Sequence, residues 1–376
     1  MYKVAIIGTG FVADFYMRSL EVYPDITLEC AYDRNPEALN RFCNFWQAKK
    51  AESLEAILAM PEIDLVLNLT NPSSHYEVSK LCLLSDKNVY SEKPLAVEMN
   101  QAYELHELAT SRNILLGSAP CSFLGEAAQT IRHAIDRQLI GKPYLVYAEL
   151  DDDFVPQAPY KKWLSESGAP WPYADEFKVG CTLEHAGYYL TWLMPIFGGV
   201  TKVIAASANL IDNKLEGEEN SLTAPDFATA TLFFESGVVA RLTCSIIAPH
   251  DHRLRVFGEK GILYVDEAWN NSTKVKFKKR FSIRRKLITG PFSKTVKLRG
   301  PTHIKVSNKC PTPMNFALGP AEMLSAAQQG VSSRVCADFA LHLNEVTLAI
   351  QNSHDSSGVQ VMQSKMPKIE PMPWAN

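Results

Sequence analysis

The chain has 376 residues and a net charge of −3, with 46% hydrophobic and 21% charged residues. These proportions are typical of a globular protein long enough for two domains, and they exclude the strong basic field of a nucleic-acid-binding surface. No apolar run reaches the roughly 18 residues that a membrane-spanning helix needs, and the first residues form a strand pattern rather than a signal peptide. The eight cysteines include no CxxC pair and indicate reduced thiols. We therefore expect a cytoplasmic protein with no membrane or nucleic-acid partner.

The first region begins with a strand and a glycine-rich turn. Lys3–Ile7 is a β-branched apolar run that leads into Gly8-Thr-Gly-Phe-Val-Ala13. This is the G-x-G-x-x-A form of the dinucleotide fingerprint, whose glycines allow a tight turn and a close approach of a pyrophosphate. We interpret it as a cofactor site rather than a purely structural turn, with contacts from Gly8, Thr9, Gly10, Phe11 and Val12.

The next strand ends at Asp33, about 20 residues past the fingerprint, where an acid binds the adenosine ribose hydroxyls. The charge of Asp33 would repel a 2′-phosphate and therefore favours NAD. Arg34 beside it could accept that phosphate, so NADP stays possible. Both residues are predicted to contact the cofactor.

Alternation of strands and helices continues through this region, as in a doubly wound sheet. The strand at 63–69 ends at Thr70-Asn71-Pro72, and His75 follows at the start of a helix. Because open α/β sheets bind ligands at the carboxyl ends of their strands, Thr70, Asn71 and Pro72 are predicted cofactor contacts. His75 could either reach the nicotinamide end or begin a helix on the surface.

A short strand at Val89-Tyr90 runs into Glu92-Lys93-Pro94. This places a carboxylate and an ammonium at a strand end, and Pro94 restricts the backbone of Lys93 to extended geometry. We expect Glu92 and Lys93 to lie where the cofactor meets a substrate held by the second region.

In the second region, residues 151–180 show no clean periodicity and contain Trp163 and Trp171. Long loops in compact domains are usually functional or disordered, and aromatic faces stack well on sugar C–H surfaces. These tryptophans therefore indicate either a substrate-facing loop or a surface loop anchored by its aromatic residues.

The helix at 183–193 is largely apolar but carries Glu184, Tyr188 and Thr191 at i, i+4, i+7 spacing. Such a polar stripe requires hydrogen-bonding partners or a ligand, because unpaired buried polar groups are costly. An interhelix contact is the structural alternative. His185 could adjoin Tyr188 or be a satisfied core histidine.

Strand patterns recur from 201 to 265 and predict a large, mostly antiparallel sheet. The basic stretch 274–286 is interpreted as a solvated edge strand, with binding of a phosphate-bearing substrate as the alternative. The cluster His250-Asp251-His252 is too short to define a metal site, so no metal is predicted. Residues 320–348 are predicted to be helical, and the tail from Ser353 to wrap loosely over the surface.

Three features together resemble the Gfo/Idh/MocA oxidoreductases, named from glucose–fructose oxidoreductase and inositol dehydrogenase. They are the Gly8–Ala13 fingerprint, Glu92-Lys93-Pro94, and the later helix with Glu184 and Tyr188 four residues apart. The resemblance implies an α/β fold with an N-terminal Rossmann domain (1–122) and a C-terminal α/β domain with a large, mostly antiparallel open sheet (123–352). Residues 353–376 are assigned to a C-terminal tail. The resemblance also implies a homodimer or homotetramer formed through the C-terminal sheet.

The activity implied by the resemblance is hydride transfer between NAD(P) and a carbinol carbon of a sugar, cyclitol or sugar derivative. Aspartate is usual where this chain has Glu184, and Tyr188 replaces a frequent histidine, as in the glucose–fructose oxidoreductase and dihydrodiol dehydrogenase branch. Ser122 stands where many members have an arginine before an aromatic residue. The predicted substrate contacts are Lys93, Ser122, Trp163, Trp171, Glu184, His185 and Tyr188.

We expect Tyr188 to act as acid/base, Lys93 as a cation that orients the substrate oxygen and lowers the tyrosine pKa, and Glu184 to position Lys93 or a second hydroxyl. Lys93 and Tyr188 could exchange roles. Two alternatives remain: an enzyme that recycles a tightly bound cofactor during epimerisation, elimination or glycoside cleavage, and a catalytically silent NAD(P)-binding sensor.

Overall fold

The computed structural model describes residues 1–215, 223–298, 313–355 and 358–375. Its first sheet has five parallel strands in the order β2-β1-β3-β4-β5. The strands are β1 (Tyr2–Ile7), β2 (Ile26–Tyr32), β3 (Leu65–Asn68), β4 (Val89–Ser91) and β5 (Leu116–Ser118). In the register, Ile7 pairs with Asn68, and Asn68 pairs with Ser91. The residues that follow β1, β3 and β4 therefore lie side by side at one edge of the sheet.

The helices of this region are α1 (Ala13–Leu20), α2 (Pro36–Trp46), α3 (Leu54–Leu58), α4 (Pro72–Leu84) and α5 (Met99–Arg112). The sequence analysis assigned no helix to the α2 segment. The Asn35 side chain caps this helix by accepting hydrogen bonds from the amides of Glu37 and Ala38, and Pro36 occupies its first turn. An Asn-Pro pair is a recognisable helix start.

The second sheet has ten strands. Nine of them follow the order β13-β12-β11-β10-β6-β9-β8-β7-β15, and β14 pairs with β12. All pairs are antiparallel except β6 with β9, so the predicted mostly antiparallel sheet is confirmed. The strands are β6 (Pro143–Asp151), β7 (Val200–Ala208), β8 (Phe227–Phe234), β9 (Val239–Ser245), β10 (Leu254–Gly258), β11 (Gly261–Val265), β12 (Lys276–Ile283), β13 (Lys286–Thr289), β14 (Lys294–Thr295) and β15 (Gln360–Val361).

The other helices are α6 (Glu126–Asp136), α7 (Tyr173–Val179), α8 (Cys181–Phe197), α9 (Leu318–Gln329) and α10 (Ala337–Gln351). Helix α10 packs against α8 and β7 as well as against α5 of the first region. Ala340 and Leu341 lie in the hydrophobic cluster of the first sheet, whereas Phe339 lies in the larger cluster that includes the second sheet. This helix therefore ties the two regions together, and the predicted boundary at 122/123 stays a prediction.

The C-terminal tail is more ordered than the sequence analysis predicted. Strand β15 adds to the edge of the second sheet by pairing with β7. Further on, Ile369 is buried, its carbonyl accepts a 2.5 Å hydrogen bond from Arg132, and the amide of Met372 donates to Gln129. The predicted loose wrap is wrong because backbone pairing and apolar burial fix this segment.

Three other expectations can be checked. The basic stretch forms the hairpin β12–β13 at the sheet edge, as predicted. The seven described cysteines are all free. Among the described residues, no helix is both long and apolar enough to cross a membrane.

Candidate active site

A cavity of about 1070 Å³ opens at the carboxyl edge of the first sheet and extends to helix α8. This volume is slightly above the usual range of about 300–1,000 Å³ for small-molecule sites. Its wall includes the fingerprint turn, the β3–α4 loop, Lys93, Tyr188 and residues of the 151–180 segment. The cavity therefore lies where the sequence predicted a junction of cofactor and substrate.

The fingerprint turn has the geometry of a phosphate cradle. Gly8 has φ +94°, and a Cβ there would lie 2.6 Å from the backbone of Leu69 and Thr70. At Gly10 a Cβ would meet no atom within 4 Å. Within the described chain, the amides of Gly10, Phe11 and Val12 donate no hydrogen bond. Free amides at the start of a helix suit a pyrophosphate, so this turn fits a dinucleotide.

Asp33 is held in place by the same turn. One carboxylate oxygen accepts hydrogen bonds from the amide (2.7 Å) and hydroxyl (3.0 Å) of Thr9, and the other accepts from the amide of Asn35 at 2.8 Å. An ionised carboxylate has about four acceptor sites, so one remains for a ribose hydroxyl. Arg34 is exposed at the rim of the cavity.

The β3–α4 loop is organised by two buried side chains. Asn68 accepts a hydrogen bond from the hydroxyl of Thr70 (2.7 Å) and donates to the carbonyl of His75 (3.0 Å). The two ring nitrogens of His75 lie 2.7 Å from the carbonyl of Pro94 and 2.9 Å from that of Thr70. Burial lowers the pKa of His75 despite these carbonyls.

His75 is 1% exposed, so the alternative that it begins a helix on the surface is wrong. It contacts the cavity, as do Thr70, Asn71 and Pro72. Its two ring contacts join the β3–α4 loop to the Lys93-Pro94 segment. Its predicted contact with the nicotinamide stays a prediction.

Glu92 and Lys93 connect the two regions. The carboxylate of Glu92 accepts hydrogen bonds from the hydroxyl of Tyr16 (2.6 Å) and the amide of Lys93 (3.1 Å). The ammonium of Lys93 forms an ion pair with Glu184, which is in the first turn of α8. The side chains of Lys93 and Glu184 are 19% and 5% exposed, so this pair is largely shielded from water. Of the two roles predicted for Glu184, the positioning of Lys93 is supported by this direct contact.

Tyr188 contacts the cavity one turn after Glu184, with its ring 5.4 Å from that of Trp269. Its hydroxyl makes no hydrogen bond to any residue that the structure describes. Burial raises its pKa well above the ordinary value, and the carboxylates of Glu92 and Glu176 raise it further. Lys93 is not among the causes of this shift, so its predicted lowering of the tyrosine pKa stays a prediction.

His185 faces Asp152, with 3.7 Å between the ring nitrogen Nε2 and a carboxylate oxygen. Its Nδ1 is buried and has no hydrogen-bond partner within the described ranges. Burial lowers its pKa to about 4. His185 is therefore a neutral residue of the cavity wall with an unused polar atom, not a satisfied core histidine.

Trp163 and Trp171 both contact the cavity, with ring centroids 5.0 Å apart. The segment 163–171, here called the strap, is fixed to helix α1 of the first region. Arg18 donates hydrogen bonds of 2.5 to 3.0 Å to the carboxylate of Glu166, and the amide of Ser167 donates to Asp14 at 2.7 Å. The loop is therefore ordered and joins both sides of the cavity.

Ser122 does not reach the large cavity. It is 5% exposed, and its hydroxyl accepts a 3.0 Å hydrogen bond from the indole of Trp192. It borders a smaller pocket, whose lining also includes Tyr188. The predicted substrate contact at Ser122 does not agree with this position.

Sequence reasoning missed several cavity residues, including Asp152, Glu176 and Trp269. It also missed the proximity of Asp152, His250 and His252, whose potential ligand atoms all lie within 4.8 Å of one another. Burial would lower the pKa of His252, but the carboxylates of Asp152 and Glu267 raise it to about 9. These residues lie in segments about 100 positions apart, so no local spacing reveals them.

A parallel sheet with a phosphate cradle, an acid for the ribose and a lysine facing the adjoining cavity define a dinucleotide-dependent oxidoreductase. Family models agree with this class. The model described as "Oxidoreductase family, NAD-binding Rossmann fold" matches residues 2–119, and the GFO/IDH/MocA C-terminal domain matches residues 128–264. The chain belongs to the GFO/IDH/MocA family and is an NAD(P)-dependent oxidoreductase.

Two curated relatives are similar over most of their length. The myo-inositol 2-dehydrogenase of Thermotoga maritima is 22% identical over 268 residues, which cover 70% of this chain and 75% of the relative. The trans-1,2-dihydrobenzene-1,2-diol dehydrogenase of Mus musculus is 23% identical over 271 residues, covering 70% and 74%. An NAD-binding oxidoreductase from Klebsiella pneumoniae has a TM-score of 0.75 at 20% identity, covering 96% of this chain and 99% of that one, and so shares the fold.

Proposed function

We propose that this protein transfers hydride between a nicotinamide and a carbinol carbon in the ring of a sugar, cyclitol or similar vicinal diol. The observation that carries the proposal is the Lys93–Glu184 ion pair, which joins the cofactor region to the helix bearing Tyr188 at a shared cavity. The names of the two curated relatives describe substrates with hydroxyls on neighbouring ring carbons. These names favour net oxidation or reduction over a reaction with an internally recycled cofactor.

Lys93 is proposed to bind the reacting oxygen. Its ammonium is anchored by Glu184, and its backbone amide donates to the carboxylate of Glu92, so both the backbone and the charged end of this residue are fixed. A fixed cation near the oxygen stabilises the negative charge that develops there as hydride leaves or arrives. Glu184 serves as a positioning residue that also balances the buried charge of the lysine.

Tyr188 is proposed to donate a proton to that oxygen during reduction and to accept it during oxidation. The raised pKa keeps the phenol protonated in the protein alone, which suits the donor role. An alkoxide is a stronger base than a phenolate, so the proton moves from Tyr188 to the oxygen as the carbonyl becomes an alcohol. A nicotinamide dinucleotide held at the fingerprint turn would supply or accept the hydride.

The test compares Lys93→Met, Glu184→Gln and Tyr188→Phe with wild type on cyclitols, aldoses and cyclic vicinal diols, with NAD and NADP in both directions. We expect kcat to fall by about 10²–10⁴-fold for Tyr188→Phe, the usual contribution of a positioned proton-transfer group. It should fall by about 10²–10³-fold for Lys93→Met, as for the loss of one group that stabilises developing charge, and by less for Glu184→Gln. Cofactor binding, followed by NADH fluorescence, should be nearly unchanged in Tyr188→Phe.

Tyr189→Phe is the matched control. Tyr189 is the next residue on α8, but it is fully buried and donates a 2.6 Å hydrogen bond to the carbonyl of Glu149. Its removal should lower stability by roughly 1 kcal/mol and leave kcat unchanged. Wild-type turnover by folded Lys93→Met and Tyr188→Phe proteins would contradict the assignment. Enzyme-bound NADH that never changes redox state across the panel would instead support the sensor alternative.

Three further expectations stay predictions. The homodimer or homotetramer is predicted to form through the second sheet, where Tyr144 and Ile204 are 50% and 42% exposed. Sedimentation would test this assembly. The cytoplasmic location and the binding of phosphate by the β12–β13 hairpin are likewise open to experiment.

A further inference from the structure

Four side chains form a compact group at one end of the second sheet, here called the histidine–carboxylate cluster. Its members are Asp152, His250, His252 and Glu267. Asp152 directly follows β6, the histidines lie between β9 and β10, and Glu267 follows β11. Strands β11, β10, β6 and β9 are consecutive neighbours in the sheet, so their ends bring the four residues together.

Backbone hydrogen bonds fix the positions of the cluster. The amide of Asp152 donates to Ser245 at 3.0 Å. Asp151 and Asp251 exchange hydrogen bonds of 3.1 and 3.0 Å, and the amide of Ala268 donates to the carbonyl of His252 at 3.0 Å. Each segment is therefore held by the sheet before any ligand binds.

The spacing of the side chains fits a metal ion. The Nε2 atom of His252 is 3.3 Å from a carboxylate oxygen of Asp152. Metal–ligand bonds of about 2.0–2.1 Å in a tetrahedral site place two ligand atoms about 3.3–3.4 Å apart. A ring nitrogen of His250 lies within 4.8 Å of the other two ligand atoms. The Nε2 atom of His250 is 3.1 Å from Glu267, and the side chain is exposed, so it has room to move toward the other two ligands.

A second, independent observation concerns His252. Its side chain is 1% exposed, and its Nε2 has no hydrogen-bond partner with proper geometry among the described residues. Its other nitrogen, Nδ1, is 3.0 Å from Glu267, which also accepts a 3.0 Å hydrogen bond from the amide of Trp269. A histidine that donates one N–H to a carboxylate presents the other nitrogen as a metal ligand, and this arrangement is common around bound metals.

We propose that Asp152, His250 and His252 bind one divalent transition-metal ion of the Zn²⁺, Co²⁺ or Ni²⁺ class, with Glu267 orienting His252. Imidazole and carboxylate ligands suit these ions, whereas Mg²⁺ and Ca²⁺ prefer oxygen ligands alone. Three protein ligands leave a position for water or another oxygen ligand. Asp152 and Trp269 contact the large cavity, so the proposed site adjoins the wall of that cavity.

The competing state is a protonated His252 held between Asp152 and Glu267 without a metal. Both states use the same contacts, but only the metal site requires His250. His250 is 49% exposed, so its replacement by alanine carries little risk to the fold. This residue therefore gives the sharpest distinction between the two states.

The experiment uses the full chain, treated with a chelator and then dialysed against Zn²⁺ or Co²⁺. Metal content by plasma mass spectrometry should reach one equivalent per chain, and bound Co²⁺ should give the visible absorption of a low-coordinate site. Asp152→Asn, His250→Ala and His252→Ala should each weaken binding at least about tenfold. Glu267→Gln should weaken it by about 10–100-fold, the usual cost of losing an outer-shell partner.

His106→Ala is the control, because His106 also contacts a carboxylate, Asp338, at 2.6 Å, but belongs to no cluster of three candidate ligands among the described residues. It should bind metal as wild type does. Absence of stoichiometric binding would overturn the proposal and assign the cluster to the protonated state. Binding that His250→Ala leaves unchanged would also overturn it, because the metal would then be held by other residues. Since the readout is metal content, this outcome is independent of whether the proposed hydride transfer is correct.

Discussion

The two sides of the cavity are built in different ways. On the side of the first sheet, contacts come from short consecutive segments at strand ends, such as Gly10–Val12 and Thr70–Pro72. On the other side, Asp152, Glu184 and Trp269 converge from segments far apart in the chain. The first side offers the free amides of the fingerprint turn together with the side chains of Asp33 and Lys93, whereas the second offers mainly side chains. This difference matches a constant cofactor facing a substrate that varies among related enzymes.

A matched pair of glycine variants would give the largest effect and tests the backbone side directly. Gly8→Ala should lower the free energy of unfolding by roughly 2–5 kcal/mol, because the residue has φ +94° and its Cβ would meet backbone atoms at 2.6 Å. Gly10→Ala should change stability by less than about 1 kcal/mol, because its Cβ meets open space.

Gly10→Ala should nevertheless weaken NADH binding at least about tenfold, because the methyl group occupies the space needed by the pyrophosphate. Denaturant unfolding and NADH titration measure the two effects separately. Normal NADH affinity in a folded Gly10→Ala protein would show that the turn does not bind the cofactor as proposed.

Asp33→Asn tests whether the first-sheet side of the cavity also determines the preference for NAD over NADP. Removing the charge should reduce the preference for NAD over NADP by about 10–100-fold, since hydrogen bonds to charged groups contribute about 1.5–3 kcal/mol. The ratio of kcat/KM with NAD to kcat/KM with NADP measures this preference. Glu37→Gln removes a nearby exposed charge that does not contact the cavity, and should leave the ratio unchanged. An equal change in both variants would indicate a general field effect.

A substitution in the strap is expected to have the smallest effect, and it tests whether this segment joins the two sides of the cavity. Glu166→Gln removes the ion pair with Arg18 and should speed NADH dissociation by about three- to tenfold, as expected from losing roughly 1 kcal/mol. Stopped-flow displacement measures this rate. Glu21→Gln removes the other carboxylate that contacts Arg18. Because Glu21 and Arg18 belong to the same side of the cavity, this change should leave the NADH dissociation rate unchanged. Equal rates in all three proteins would mean that the strap does not retain the cofactor.

Several features were predictable because their signals are local. The fingerprint, the strand-end position of Lys93 and the alternation of the C-terminal strands depend on neighbouring residues and period-two or 3.6-residue patterns. Helix α2 was missed although Asn35 and Pro36 carry a start signal. The tail was misjudged because its order comes from pairing with β7, to which no local pattern points.

The sequence by itself determined the class of the protein: a dinucleotide turn, a lysine at a strand end, and a glutamate and a tyrosine on one helix. Only the tertiary structure decided the environment of these groups. It paired Lys93 with Glu184, and it buried Tyr188 near carboxylates that raise the pKa of the tyrosine. It also brought Asp152 close to His252. The physical reason is that pKa values and ligand geometry depend on distances between segments, which spacing along the chain does not specify.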